Sequence, residues 1–243
     1  MIKKTGRGMK KAFFLLIAAS ALLASCASNK VSLDSLSPMA ITGVEGNLVI
    51  HRMDDNGEVN EDEDGVLTTM LNKTLKGDDP EVSSAQNRVD YAEECLRLLL
   101  EDIGGVSVVD RNSVTQNKTY KSAKTNILGF MSTNCVATGY ESDRLTIGAK
   151  KSRILMKELG ASSLVSAEFE FDKRVEKKQV SAVVKMTVRI SGSSGRNIVN
   201  KEYTAESVDK IDFYGGKYDK EAFVELFKPV TETVIRNFIM EYL

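Results

Sequence analysis

The chain has 243 residues, with 33 Lys and Arg against 34 Asp and Glu and a formal net charge of −1. That balance argues against a nucleic-acid partner, which calls for a strongly basic face. A single histidine, His51, excludes His-His metal sites and H-E-x-x-H chemistry, so neither a metal nor another cofactor is expected.

The first element is a three-zone leader. Lys3, Lys4, Arg7, Lys10 and Lys11 precede an apolar run, Ala12–Ala24, broken only by Ser20, and Leu23-Ala24-Ser25-Cys26 closes it. Basic residues, a short apolar core and small residues before a cut site describe an export signal. The core is shorter than the ~20 residues a membrane-spanning helix needs. The box LASC resembles the bacterial lipobox, in which the cysteine receives a diacylglyceryl group (later palmitate-bearing) and becomes residue one. Residues 1–25 are therefore expected to be removed and Cys26 to anchor the chain in a lipid membrane. Met9 opens a segment that is a complete signal by itself. Cleavage leaves 28 basic against 34 acidic residues, which deepens the case against nucleic acid, and a length suited to one domain with a sizeable core.

Residues 26–38, Ser-rich and ending in Pro38, read as a flexible tether with an r.m.s. reach of ~20 Å, and 39–243 as one domain. Met39–Ile50 reads as a strand pair or one broken strand. The acidic segment Met53–Gly65 is turn-rich, and the chain from there to Asn87 reads as a long loop with one short helix near Val66–Leu75. Val89, Ala92, Leu96, Leu99 and Ile103 form one face of a helix stopped by Gly104-Gly105. Val106–Asp110 reads as a short buried strand and residues 111–142 as a polar irregular segment. Asp143 can cap a second helix carrying Leu145, Ala149, Leu155 and Leu159 and ended by Gly160. Two alternating strands follow, with Val165, Ala167, Phe169 and Phe171, then Ala182, Val184, Met186, Val188 and Ile190, on the apolar face. Ser166, Glu168, Glu170, Asp172, Lys185, Thr187 and Arg189 fall on the other. Gly192-Ser-Ser-Gly195 turns into a return strand carrying Val199, Tyr203 and Ala205. A helix from about Asp219, kinked or divided at Pro229, closes the chain. The order β-α-β-α-β-β-β-α indicates an α+β (mixed α/β) single domain, a mixed sheet packed by helices.

Candidate chemistry is sparse. His51 lies beside a strand with no G-x-S-x-G partner and reads as a structural residue. An EF-hand register on Gly57 would put Arg52 where a carboxylate is required, so the acidic segment does not form that loop. Export permits a disulfide between Cys95 and Cys135, but Cys95 sits on a helical apolar face and reads as a small buried hydrophobe. The apolar face of the last helix reads as core packing against its own sheet.

The second half resembles a known fold. The segments Val106-Ser-Val-Val-Asp-Arg111 and Glu158-Leu-Gly-Ala-Ser-Ser-Leu-Val-Ser-Ala-Glu168, the hairpin Lys185–Ser207 and the closing helix are similar to the fold shared by the curli-secretion-channel lipoprotein, the lipoprotein activators of penicillin-binding proteins, and the amino-terminal domain of TolB. The similarity covers roughly residues 87–243. It implies action by binding or assembly and carries no catalytic residues over. The expectation is thus a non-enzymatic envelope lipoprotein, anchored through Cys26. Ala27 follows the cysteine where Asp is often used for inner-membrane retention, so the outer membrane, facing the periplasm, is expected. The role expected is a protein-binding scaffold or activator, with a cell-wall synthase among the partner classes. The alternative is a membrane-active or secretion-pore type of lipoprotein, working through its amphipathic terminal helix or as an oligomer.

Overall fold

A computed structural model describes residues 31–53, 79–123, 134–141, 147–215 and 217–243. The leader, the lipobox Leu23-Ala24-Ser25 and Cys26 lie outside the described residues, as do the acidic segment from Asp54, the helix near Val66–Leu75, and Asp143 with Leu145.

The strands are β1 (Met39–Asn47), β2 (His51–Met53), β3 (Asn134–Val136), β4 (Ser163–Glu176), β5 (Gln179–Ser191), β6 (Asn197–Glu206) and β7 (Ile211–Asp212). The helices are α1 (Pro80–Ser83), α2 (Ala85–Asp102), α3 (Arg111–Thr115), α4 (Lys118–Lys121), α5 (Ala149–Leu159), α6 (Lys220–Glu225) and α7 (Phe227–Tyr242). One mixed sheet runs β3-β1-β4-β5-β6, with β2 continuing beside β4 and β7 beside β5. The α+β reading holds. β1 and β4 are parallel, with Ile41 opposite Val165, and β2 pairs parallel to the same strand, so the first strand region is one broken strand. From β4 to β6 the meander is antiparallel, with Phe169 opposite Met186 and Met186 opposite Tyr203.

The alternation read from the sequence sorts the two faces. Val165, Ala167, Phe169, Phe171, Val184, Met186, Val188 and Ile190 are fully buried, while Glu168 and Arg189 are only half-buried. Helices α2 and α7 cover the apolar face. Val89, Ala92, Leu96 and Leu99 come from one, Val230, Val234 and Phe238 from the other. Each fully buried side chain of this size contributes about 1.5–3 kcal/mol. The terminal helix therefore spends its apolar stripe on its own sheet.

Local chemistry sets the helix ends. Asp79 caps α1 by accepting from the Glu81 N–H, with Pro80 in the first turn, and Asp219 caps α6 from the Ala222 N–H. The last helix is divided at Leu226. Pro229 would clash with the Glu225 carbonyl in an unbroken helix, whereas as third residue of α7 its missing N–H costs nothing. Gly160 ends α5 in the left-handed region, φ 64°. Gly195 has φ +72°, and a Cβ there would collide with the Ala149 carbonyl, so this glycine lets the β5–β6 turn abut the start of α5.

Five expectations need correcting. The loop expected up to Asn87 gives way to α1 at Pro80 and to the start of α2 at Ala85, because Asp79 and Pro80 together start a helix there. The tether cannot run to Pro38. Leu33 is fully buried, and its N–H donates to the Tyr242 carbonyl at 3.0 Å. Residues 34–36 form a 3₁₀ turn with Leu36 buried, because two leucines in that Ser-rich stretch find apolar cover. Val106–Asp110 is not a full strand but a single parallel bridge, Met39 to Val108, with only Val106 buried. Residues 111–142 are not wholly irregular, since α3, α4 and β3 form there, the two short helices capped by Asp110 and Asn117. Helix α5 is capped at Gly148 rather than Asp143.

Candidate binding surfaces at the two ends of the sheet

Because β1 and β4 run parallel, the domain has a start end, near Met39 and Ser163, and a far end, near Asn47 and Phe171, roughly 25 Å along the strands. The two ends carry different chemistry.

The chain enters at the start end. Ser163 Oγ donates to the Leu36 carbonyl at 2.7 Å, the Ser162 N–H to the Pro38 carbonyl at 2.7 Å, and the Ser107 N–H to Ser37 Oγ at 3.1 Å. These bonds fix residues 36–38 beside an open groove of about 560 Å³, whose lining includes Ser35, Leu36, Arg153, Met156, Lys157, Ser162, Ser194 and Ile198.

At the far end Arg88 is buried between two rings. Its guanidinium lies 5.2 Å from the centroid of Phe171 and 5.6 Å from that of Phe227. Nη1 donates to the Glu81 carbonyl at 2.9 Å and Ser84 Oγ at 2.6 Å, and Nη2 to the Leu48 carbonyl at 3.3 Å. Among the described residues no carboxylate pairs with it, and burial lowers its pKa to about 10. Arg88 lines a cavity of about 110 Å³ with Asn87, Tyr91, Phe227 and Thr231. Beside it, the Glu81 carboxylate accepts from Lys173 Nζ at 2.8 Å and from the Tyr218 hydroxyl, and Lys220 pairs with Asp79 at 2.5 Å. Burial, and then Glu81, push the Tyr218 phenol up, so it stays a donor. For Asp79 burial acts upward, but the Lys220 ammonium and the Glu81 N–H outweigh it and hold the carboxyl below its ordinary range.

Asp172 is 1% exposed and sits opposite His51 on β2 and Val183 on β5. Neither carboxylate oxygen makes a hydrogen bond among the described residues. Burial and then Glu170 raise its pKa to about 7, against the opposing pull of Lys185 and the His51 backbone. The alternation read from the sequence put Asp172 on the open face with Glu168. It does lie on that face, but not in solvent.

Glu93 is a third polar centre, fully buried on α2. It accepts from the Tyr140 hydroxyl at 2.8 Å and pairs with Arg97 at 3.1 Å and with Arg111. Arg97 also donates to the Val109 carbonyl at 2.9 Å. Arg97 is thereby largely covered, and its guanidinium ties the 106–111 segment to the helix. Every partner of Glu93 is internal, so this centre fastens the fold. Cys95 and Cys135 are thiols, not joined in a disulfide, and burial pushes the Cys95 thiol up to about 12, which keeps it inert.

Arg88, Glu93 and Asp172 were not singled out by the sequence reading. For the first two a signal existed. Val89, Glu93, Leu96 and Leu100 share one helical row, and Arg88 with Ala92 and Cys95 another, so two charges sat inside the apolar stripe. Among the described residues no group of three or more His, Cys, Asp or Glu could hold a metal ion, and no helix is long and apolar enough to cross a membrane.

No family model and no curated protein matches the sequence. Several solved structures resemble the chain weakly. The C-terminal domain of LpoB from Salmonella enterica is 12% identical, covers 76% of this chain and 90% of its own, and has a TM-score of 0.31. Lipoprotein GNA1162 from Neisseria meningitidis is 9% identical, with coverages of 82% and 96% and a TM-score of 0.32. The hypothetical protein CT253 from Chlamydia trachomatis is 13% identical, with coverages of 85% and 93% and a TM-score of 0.34. At these TM-scores none of the three fixes the fold family or the function.

Proposed function

We propose that this chain is a bacterial envelope lipoprotein, anchored by acylated Cys26 in the outer membrane and facing the periplasm. Its domain is a non-enzymatic module that binds and scaffolds or activates a protein partner. The observation that supports this reading is the LASC box, whose cysteine stands only seven positions ahead of Leu33, the first buried residue among the described ones. An anchor so close to the start end holds that end toward the bilayer. It turns the far end, with Arg88, Glu81, Lys173 and Tyr218, toward the envelope space. A cell-wall synthase is the first partner class to test, on the motif resemblance around Val106–Arg111 and Glu158–Glu168. The membrane-insertion alternative gains no support from the terminal helix, whose Phe227, Val230, Val234 and Phe238 are all covered by the domain's own elements.

Two measurements test the reading. Radiolabelled palmitate should enter the wild-type chain and not Cys26→Ala, and label persisting in the variant rejects the anchor. A photo-crosslinker placed at Tyr91 or Lys228, beside the far-end cavity, should trap a defined protein in intact cells. Clean absence of any trapped protein rejects the binding module.

A further inference from the structure

The start end of the domain differs in charge from the rest of the chain. After loss of the leader the protein is acidic, 28 basic against 34 acidic residues. Yet α5 and the β5–β6 turn place Lys150, Arg153, Lys157 and Arg196 there, all exposed. None of these four cations forms an ion pair among the described residues, whereas Lys173, Arg174, Lys185, Arg189, Lys201 and Lys220 each do. Two exposed apolar side chains sit among them, Ile154 at 41% and Ile198 at 43%. On the three segments that form this patch, residues 33–38, α5 and the turn 192–197, the acidic side chains are Asp34 and Glu158, so the patch itself is net positive. Glu101 and Asp102 close α2 at the same end of the sheet. Its geometry is fixed by the close approach of Gly195 to the Ala149 carbonyl, which joins the turn to the helix.

The chain enters the domain at this face, since Ser35 and Leu36 line the same groove as Arg153, Lys157 and Ile198. Leu33 follows Cys26 by seven positions, a span of at most ~25 Å fully extended. We propose that this face seats the domain on the bilayer. Lys150, Arg153, Lys157 and Arg196 engage the phosphate groups of anionic phospholipids, while Ile154 and Ile198 reach the interfacial layer. The inference rests on the anchoring at Cys26 for its proximity to lipid, and on charge complementarity for its occupant. Each basic side chain near an anionic membrane surface gains about 1 kcal/mol, roughly a fivefold change in partitioning, so four cations suffice to hold an already tethered domain in one orientation. The result is a module standing on its start end, with the Arg88 cavity and the Glu81 cluster held outward.

The test uses the mature chain with Cys26→Ser, which lacks only the acyl group, in flotation with phosphatidylcholine vesicles with and without phosphatidylglycerol. Binding is expected to the phosphatidylglycerol vesicles alone and to fall as salt rises. The triple variant Arg153→Gln, Lys157→Gln, Arg196→Gln should bind roughly 100-fold more weakly. Lys177→Gln, Lys178→Gln, Lys217→Gln, exposed residues with the same change of charge away from this face, should bind like the parent, and equal urea midpoints for the parent and both triple variants exclude misfolding. No flotation with phosphatidylglycerol, equal flotation with both lipids, or equal loss in the two triple variants overturns the proposal. Palmitate labelling of the native chain separates the two readings. Label without vesicle binding rejects this face alone, and vesicle binding without label rejects the anchor alone.

Discussion

Replacing Asp172 by asparagine should change how stability depends on pH. The carboxyl is buried, its two oxygens lack hydrogen-bond partners among the described residues, and its pKa stands at about 7 against an ordinary 3.8. An acid with a raised folded pKa binds more protons folded than unfolded throughout that interval, so the fold loses stability as pH rises from about 4 to about 7. The gap between 3.8 and about 7 corresponds to about 4 kcal/mol in full. Between pH 5 and pH 8 the loss is roughly 2–3 kcal/mol, because part has already occurred by pH 5 and none follows once the folded carboxyl has ionised. A carboxamide in its place cannot ionise. Urea unfolding of the unlipidated mature chain and of Asp172→Asn, at steps from pH 5 to pH 8, isolates this group and its coupling to Glu170 and Lys185, because titrations not coupled to it cancel in the difference. The variant should gain on the parent by roughly 2–3 kcal/mol across the range. A difference flat within ~0.5 kcal/mol, or one favouring the parent as pH rises, would refute the account of a carboxyl whose burial outweighs the pull of Lys185 and the His51 backbone.

Three further outcomes are expected. Phe169→Ala should cost about 3–5 kcal/mol, whereas Glu168→Ala should cost no more than ~1 kcal/mol, its pair with Arg189 being partly solvated; chemical denaturation of both decides, and equal losses would mean the β4 faces are exchanged. Glu93→Ala should cost about 3–5 kcal/mol, since it strands the guanidinium of Arg97 and the hydroxyl of Tyr140, and amide exchange in 106–111 should rise with it. Gly46→Ala should cost about 1–3 kcal/mol in a thermal or urea midpoint, because the new Cβ would lie 2.8 Å from Val89 Cγ2 and 2.9 Å from Phe171 Cε2.

The sequence by itself determined the sheet and its cover. Strict alternation over Val165–Phe171 and Ala182–Ile190 leaves one workable face in each strand, and the stripe from Val89 to Leu99 leaves one in the helix, because period 2 and period 3.6 are imposed by the backbone. It likewise supplied the LASC box and the turn at Gly192–Gly195, which are local chemistry. What only the tertiary structure decided are the polar positions and the ends. Glu93 stands visibly inside the apolar stripe of its helix, but only the fold brings Arg111 and Tyr140, distant in sequence, to close over it and Arg97. Asp172 keeps the strand's alternation but loses its solvent, and no local pattern encodes what neighbouring elements cover. The strand expected at Val106–Asp110 has the composition but a partner for one residue alone, since strands exist through pairing. Leu33 and Leu36 sit in a Ser-rich stretch that reads as a linker, and Leu33 is held by the Tyr242 carbonyl some 209 residues away. The start-end face is assembled in the same way, from a helix and a turn that meet only because Gly195 has no side chain.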